Sequence, residues 1–262
     1  MHDPDVVLHP SSDRPRLYPL TSLRFFAALL IFVLHSNNHS IWPDSLFFGF
    51  DFSKAVCFFF VLSGFVLSYT YDGKAFNIRT FYRDRLARIW PATVFSTFFV
   101  LLILPSSYYL PSPSDSSHIG SVFLSHLFLL QSFIPLPIFF FGLNAVCWSV
   151  SVEAFFYLVF PWFNSLNTRS LALLWVFCIT LLFLLSLIIS SSQILPFSPQ
   201  TTNTVVWEGL IYINPVMRLP EFLVGIISGK LYLYLRSTEL KRTLFSFFHK
   251  IKLPVFFAEF TP

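Results

Sequence analysis

An all-α bundle of membrane-spanning helices is the fold class that this sequence predicts, and three observations predict it. Of 262 residues, 55% are hydrophobic and 20% aromatic, while only 11% are charged, less than half the share of about 25% found in a soluble domain. Runs of mostly apolar residues recur along the whole chain, each close to the ~20 residues a helix needs to cross a hydrocarbon core of about 30 Å. The Lys and Arg residues gather in three clusters between those runs. A water-soluble fold of this size could not cover itself with so few charges. The bilayer is therefore the solvent and the lipid its partner, and helices are the elements that satisfy their own backbone there. The net charge of +4 is distributed as orientation signals and not as a nucleic-acid footprint.

Residues 1–19 are polar and carry Pro10, Arg14, Pro15 and Arg16. They lack the apolar centre and small-residue cleavage site of a removable signal peptide, so they read as a tail and the run at 20–38 as a retained span. Further spans are predicted at 53–71, 91–110, 145–163, 171–190 and 216–235. The stretch 120–141 is apolar but interrupted by Pro135 and Pro137. The run 253–260 is too short to cross, which leaves 236–262 as a tail with a partial last segment. One transmembrane domain over 1–262, with about six to eight membrane segments, is the resulting expectation. No internal repeat of fixed period is visible, which removes one common transporter signature. Cys57, Cys147 and Cys178 sit inside apolar runs without the spacing of a metal knuckle or a disulfide framework.

Basic residues set the expected orientation. Arg14, Arg16 and Arg24 precede or open the first span, and Lys74, Arg79, Arg83, Arg85 and Arg88 follow the second. Both clusters belong on the cytoplasmic side. The 105–120 and 191–215 segments contain no Lys or Arg and belong outside, whereas the basic residues from Lys230 to Lys252 put the tail inside. These assignments demand an even number of crossings between 110 and 200. Three candidates lie there, so the proline-interrupted stretch 120–141 is expected to be re-entrant or broken, buried by protein where its backbone is irregular.

Within this frame a few ionisable groups lie at membrane depth. Arg24 and His35 are eleven positions apart, which places them on one helical face about 16 Å apart in depth. Arg24 reads equally as a snorkelling anchor or as part of a site. His35 is costly at mid-membrane unless it faces a polar cavity or a partner, so it is either a satisfied structural histidine or a working one. A metal pair of His35 and His39 has no further ligands in view. If the helix bearing Glu153 enters from outside, that carboxylate lies about 12 Å deep, at the depth of His35. A carboxylate beside an imidazole orients it and stabilises its protonated form, as a general base requires, although a polar clamp between helices would also explain Glu153. Arg85 and Arg88 share a helical face in the loop after the second span. Their guanidinium forks suit phosphates, and the positive-inside rule accounts for them as well. Arg218 and Glu221 form a local pair at a span entrance, while Gly225 and Gly229 make a small-xxx-small step for close helix packing.

Five motifs, LTSLRFFAALLIFVLHS, VCFFFVLSGFVLSY, FYRDRLARIWP, WSVSVEAFFYLVFP and NPVMRLPEFLVGIISGKLY, occur in an order and at a spacing that resemble the acyltransferase-3 family of membrane proteins over roughly residues 18–235. That family contains bacterial enzymes that O-acetylate or O-acylate surface polysaccharides, peptidoglycan, Nod factors and macrolide sugars. The resemblance implies an enzyme of the bacterial cytoplasmic (inner) membrane with a cytoplasmic N-terminus, an acyl-CoA (acetyl-CoA) donor, a carbohydrate or glycan acceptor and no metal. It implies that Arg24, Arg85 and Arg88 bind the donor and that His35 and Glu153 are catalytic, with Arg218 and Glu221 serving either structure or the acceptor. Members run on for several more helices and close with an Arg- and Glu-bearing segment not found here. A C-terminally truncated member is therefore expected. A transporter or flippase subunit and an inactive truncated member are the competing readings.

Overall fold

The computed structural model describes residues 14, 17–37, 54–105, 117–198 and 202–237, with the side chains of residue 21 and residues 34–37 outside that description. Among the described residues the structure is helical and has no strand. The helices are α1 (Tyr18–Asn37), α2 (Lys54–Tyr71), α3 (Ile78–Ile103), α4 (Ile119–Leu127), α5 (Pro137–Phe140), α6 (Trp148–Ser165), α7 (Thr168–Ser191) and α8 (Leu219–Ser237). Four segments are long and apolar enough to cross a bilayer: α2, α3, α6 with its preceding 3-10 turn from Ala145, and α7. Helix α1 carries a shorter apolar run over Tyr18–Val33. Helix α8 has 19 residues but holds Glu221, Lys230 and Arg236.

Helix α3 departs most from the expected span of 91–110. Asn77 caps it by accepting from the backbone N–H of Arg79 (2.9 Å) and Thr80 (3.2 Å), as an Asn N-cap does. The basic segment that reads as a loop is therefore the first three turns of a 26-residue helix that runs straight through Pro91. The helix ends earlier than expected because Leu104 precedes Pro105, which disfavours the helical region for the residue before it. Leu104 is accordingly extended, at φ −98° and ψ 142°. Helix α7 begins just as sharply, with Asn167 accepting from the Ser170 N–H at 2.8 Å.

The stretch 120–141 does not cross. Its nine-residue helix α4 is about 13 Å long and lies along α3, with Phe98 against Phe123 and the Leu127 carbonyl accepting from the Trp90 indole at 2.8 Å. Leu127 thus lies level with the middle of α3. The chain then turns through Leu129, at φ 56°, into a 3-10 turn, Gln131–Phe133. Ser132 Oγ donates to the Trp148 carbonyl (2.7 Å), Gln131 Nε2 to the Cys147 carbonyl (2.9 Å) and Ser151 Oγ to the Leu129 carbonyl (2.6 Å). These bonds satisfy irregular backbone inside the protein. The returning strand of chain reaches Thr202, whose carbonyl accepts from Ile138 N–H at 3.0 Å.

Helices α2 and α8 run parallel and touch along their backbones. A Cβ on Gly64 would fall 2.2 Å from the Phe222 carbonyl oxygen, and one on Gly225 would fall 2.0 Å from that of Val61. Only a residue without a Cβ fits such an approach, which is the close packing expected of the small-xxx-small step. Around this seam sits an aromatic core in which Phe156 stacks on Phe222 at 4.4 Å and meets Phe60 edge-on at 5.3 Å. The outer surface is apolar, as a lipid-facing one must be: on α7, Leu173 is 72% and Phe177 62% exposed.

Candidate active site

One elongated cavity of about 350 Å³ gathers most of the residues singled out by sequence. Arg24 from α1, Arg85 and Arg88 from α3, and Glu153 and Tyr157 from α6 line its charged end. Ile31, Val56, Phe59, Phe60, Val146 and Trp148 line the remainder, with Ser63 and Ser149 between. On α2 the lining runs from Leu67 to Val56, and on α6 and the 3-10 turn before it from Tyr157 to Val146, eleven positions apart in each case, so the cavity extends about 16 Å along the bundle.

At the charged end Arg85 is held by aromatic rings. Its guanidinium carbon lies 5.9 Å from the Tyr71 ring centroid and 6.0 Å from those of Phe81 and Tyr157, within cation–π range. Its Nη2 reaches the Tyr71 hydroxyl at 3.4 Å, while its Nε is buried with no protein acceptor. A buried charged donor left unpaired is costly, which suits a site completed by an anionic ligand. Arg24 lies within electrostatic reach of Arg88 and Glu153. Glu153 accepts a hydrogen bond from the Tyr157 hydroxyl one turn along α6.

Two expectations are corrected. Arg85 and Arg88 lie on α3 and not in a loop, for the capping reason given above. Glu153 lies with the arginines instead of at the depth of His35. The expectation counted Glu153 inward from the outer surface, but α6 begins recessed, seven residues or about 10 Å before the end of α3, where Cys147 Sγ lies 3.9 Å from Ser96 Oγ. Five residues further on, Glu153 is already among Arg24, Arg85 and Arg88. His35 falls on α1 eleven residues beyond Arg24, about 16 Å, and one turn beyond Ile31 on the same face. The side chain of His35 lies outside the described residues, as does His39.

Arg218 does not join the cavity. It is 8% exposed, donates to the Tyr212 carbonyl at 2.6 Å and to Glu221 at 2.8 Å, and lies 4.1 Å from the Tyr212 ring centroid. It clamps the turn of π-helix at Glu208–Tyr212 onto α8. Tyr157, Tyr71 and Trp148 are site residues that sequence reasoning did not name. Tyr157 carried a signal, being four residues from Glu153 and so on its helical face. Tyr71 carried none, because its place depends on how α2 meets α3.

The family model Acyl_transf_3, described as "Acyltransferase domain", matches residues 18–258. The chain is 33% identical over 229 residues to the acyltransferase MdmB of Streptomyces mycarofaciens, a match covering 81% of this chain and 56% of that protein. It is 28% identical over 177 residues to an uncharacterised protein of Haemophilus influenzae, covering 64% of this chain and 70% of that one. The chain thus spans little more than half the length of MdmB. No solved structure matches it.

Proposed function

From the premise that this chain belongs to the Acyl_transf_3 family of acyltransferases, we propose that it transfers an acyl group from acyl-CoA to a hydroxyl of a carbohydrate acceptor. The observation that carries this reading is one cavity that joins Arg24, Arg85 and Arg88 to an apolar stretch reaching Ile31 of α1, one helical turn before His35 in the sequence. Three guanidinium groups against one carboxylate suit the phosphates of the donor, and the orphaned Arg85 Nε awaits an acceptor of that kind. The volume, near the lower limit of roughly 300–1,000 Å³ for small-molecule sites, suits the thin pantetheine arm and leaves the nucleotide toward the basic end. That arm is about as long as four or five residues of extended chain, ~16 Å. Phosphates at the arginines therefore bring the thioester to the level of His35.

There the acceptor oxygen attacks the thioester carbon, the new C–O bond forms and the C–S bond breaks. His35 removes the hydroxyl proton and returns it to the departing thiolate, so that an ester and free CoA thiol result. Glu153, held by Tyr157, balances the arginine cluster and sets its geometry.

The test is an assay of membranes bearing the full chain with labelled acetyl-CoA and candidate glycans. Acceptor-dependent release of free thiol is expected, abolished by His35→Gln while donor binding persists. Glycan movement without acyl transfer would favour a transporter and overturn the reading.

A further inference from the structure

A second hollow, of about 730 Å³, lies just past the end of α2, at Asp72 and Gly73, between the start of α7 and the last turns of α8. Arg14, Lys230 and Arg236 converge on it, with Asp72, Thr168 and Tyr234 among its other walls. Its charges are turned inward. Lys230 pairs with Asp72 and donates to the Asn164 carbonyl at 2.9 Å. Arg14 donates to the carbonyls of Tyr69 and, at 2.7 Å, of Asp72. Arg236 Nη1 lies 3.3 Å from the Tyr69 hydroxyl. The positive-inside rule explains the sign of these residues, but cations that serve only as orientation signals extend toward water. Here they close on one concavity instead. Asp72 compensates one of the three, and two positive charges remain without a carboxylate among the lining residues. The first turn of α7, at Thr168, opens on the same hollow, and the positive end of its 24-residue dipole adds to the field.

We propose that this hollow binds a phosphate group, distinct from the arginine-lined cavity between α1, α3 and α6. Guanidinium and ammonium groups around a polar hollow at the edge of a bilayer recognise phosphate through charge-assisted hydrogen bonds. Two molecules bring that chemistry to this place: a phospholipid headgroup and the nucleotide end of a soluble cofactor.

The test titrates the purified full chain in neutral detergent with phosphatidylglycerol, diacylglycerol and coenzyme A, reading retained ligand by native mass spectrometry. Phosphatidylglycerol, or coenzyme A in an Arg236-dependent amount, should be held in preference to diacylglycerol, which lacks the phosphate. Arg236→Gln should weaken that binding about tenfold, the loss of one charge-assisted bond. Arg236→Lys should keep most of it, and Tyr69→Phe, which removes the partner of Arg236 but no charge, should keep it too. Phosphatidylglycerol that survives excess coenzyme A identifies the headgroup as occupant, whereas its displacement by coenzyme A in an Arg236-dependent way identifies the nucleotide. Equal retention by wild type and Arg236→Gln overturns the proposal. So does equal retention of the two lipids with no Arg236-dependent coenzyme A binding.

Discussion

Arg85 shows how one residue type can meet two demands at once. Its guanidinium group sits among the rings of Tyr71, Phe81 and Tyr157, while its Nε remains buried and unpaired among the protein groups. Lysine could carry the charge but neither the planar fork nor the stacking. Replacing Arg85 and Arg88 together with Ala should therefore weaken acyl-CoA binding, with Lys at both positions restoring only part of it. Equilibrium binding of labelled donor measures this, and unchanged affinity in the Ala variant would return both residues to an orienting role. Glu153 makes a different prediction because it lies with the arginines. Glu153→Gln should raise KM for the donor more than it lowers kcat, and Tyr157→Phe, which frees the carboxylate, should do the same more weakly. A loss confined to kcat, with a shifted pH profile, would instead place Glu153 in the proton transfer at His35.

Helices were legible from sequence wherever local chemistry decided them, and less so where tertiary contacts did. The apolar runs located α2, α7 and α8 to within a few residues, since span length follows from bilayer thickness. The proline pair at 135 and 137 foretold that 120–141 would break. Helix α3 was misplaced because its basic first turns look like a loop when hydropathy is the only guide. Hydropathy does not register the Asn77 cap that starts it. The start of α6 was legible as a residue number, since the span predicted from 145 begins on the 3-10 turn that leads into it, but its depth in the bundle was not, because Gln131 and Ser132 reach across to it from the re-entrant turn. The glycine seam between α2 and α8 was half visible, as Gly225 and Gly229 stood out but Gly64 did not. Gly64→Leu or Gly225→Leu would force apart backbones that already touch. Overpacking of this kind costs about 1–3 kcal/mol or more. A lower midpoint of thermal unfolding in detergent should follow, while Gly120→Ala, where a Cβ meets nothing within 4 Å, should leave the midpoint unchanged.

Among the described residues, α1 begins and α8 ends on the side where Lys74, Arg79 and Arg236 lie, with Arg14 and Arg236 both meeting Tyr69. If the positive-inside rule governs insertion, that side faces the cytoplasm. Cysteines placed at the exposed positions Ala75 and Ser192 test it with an impermeant thiol reagent on intact cells. Ser192→Cys should label and Ala75→Cys should not, and the reverse pattern would invert the orientation. The half-length helix α4 and the recessed start of α6 have one more consequence at this scale. A helix that begins inside a bilayer carries the positive pole of its dipole into a medium that screens it poorly. The first turn of α6 has no acidic residue to neutralise that pole, and Val146 and Ser149 place it against the far end of the channel. Whatever charge develops there is thus held in a built-in electric field that favours an anion, supplied by the backbone and by no single side chain.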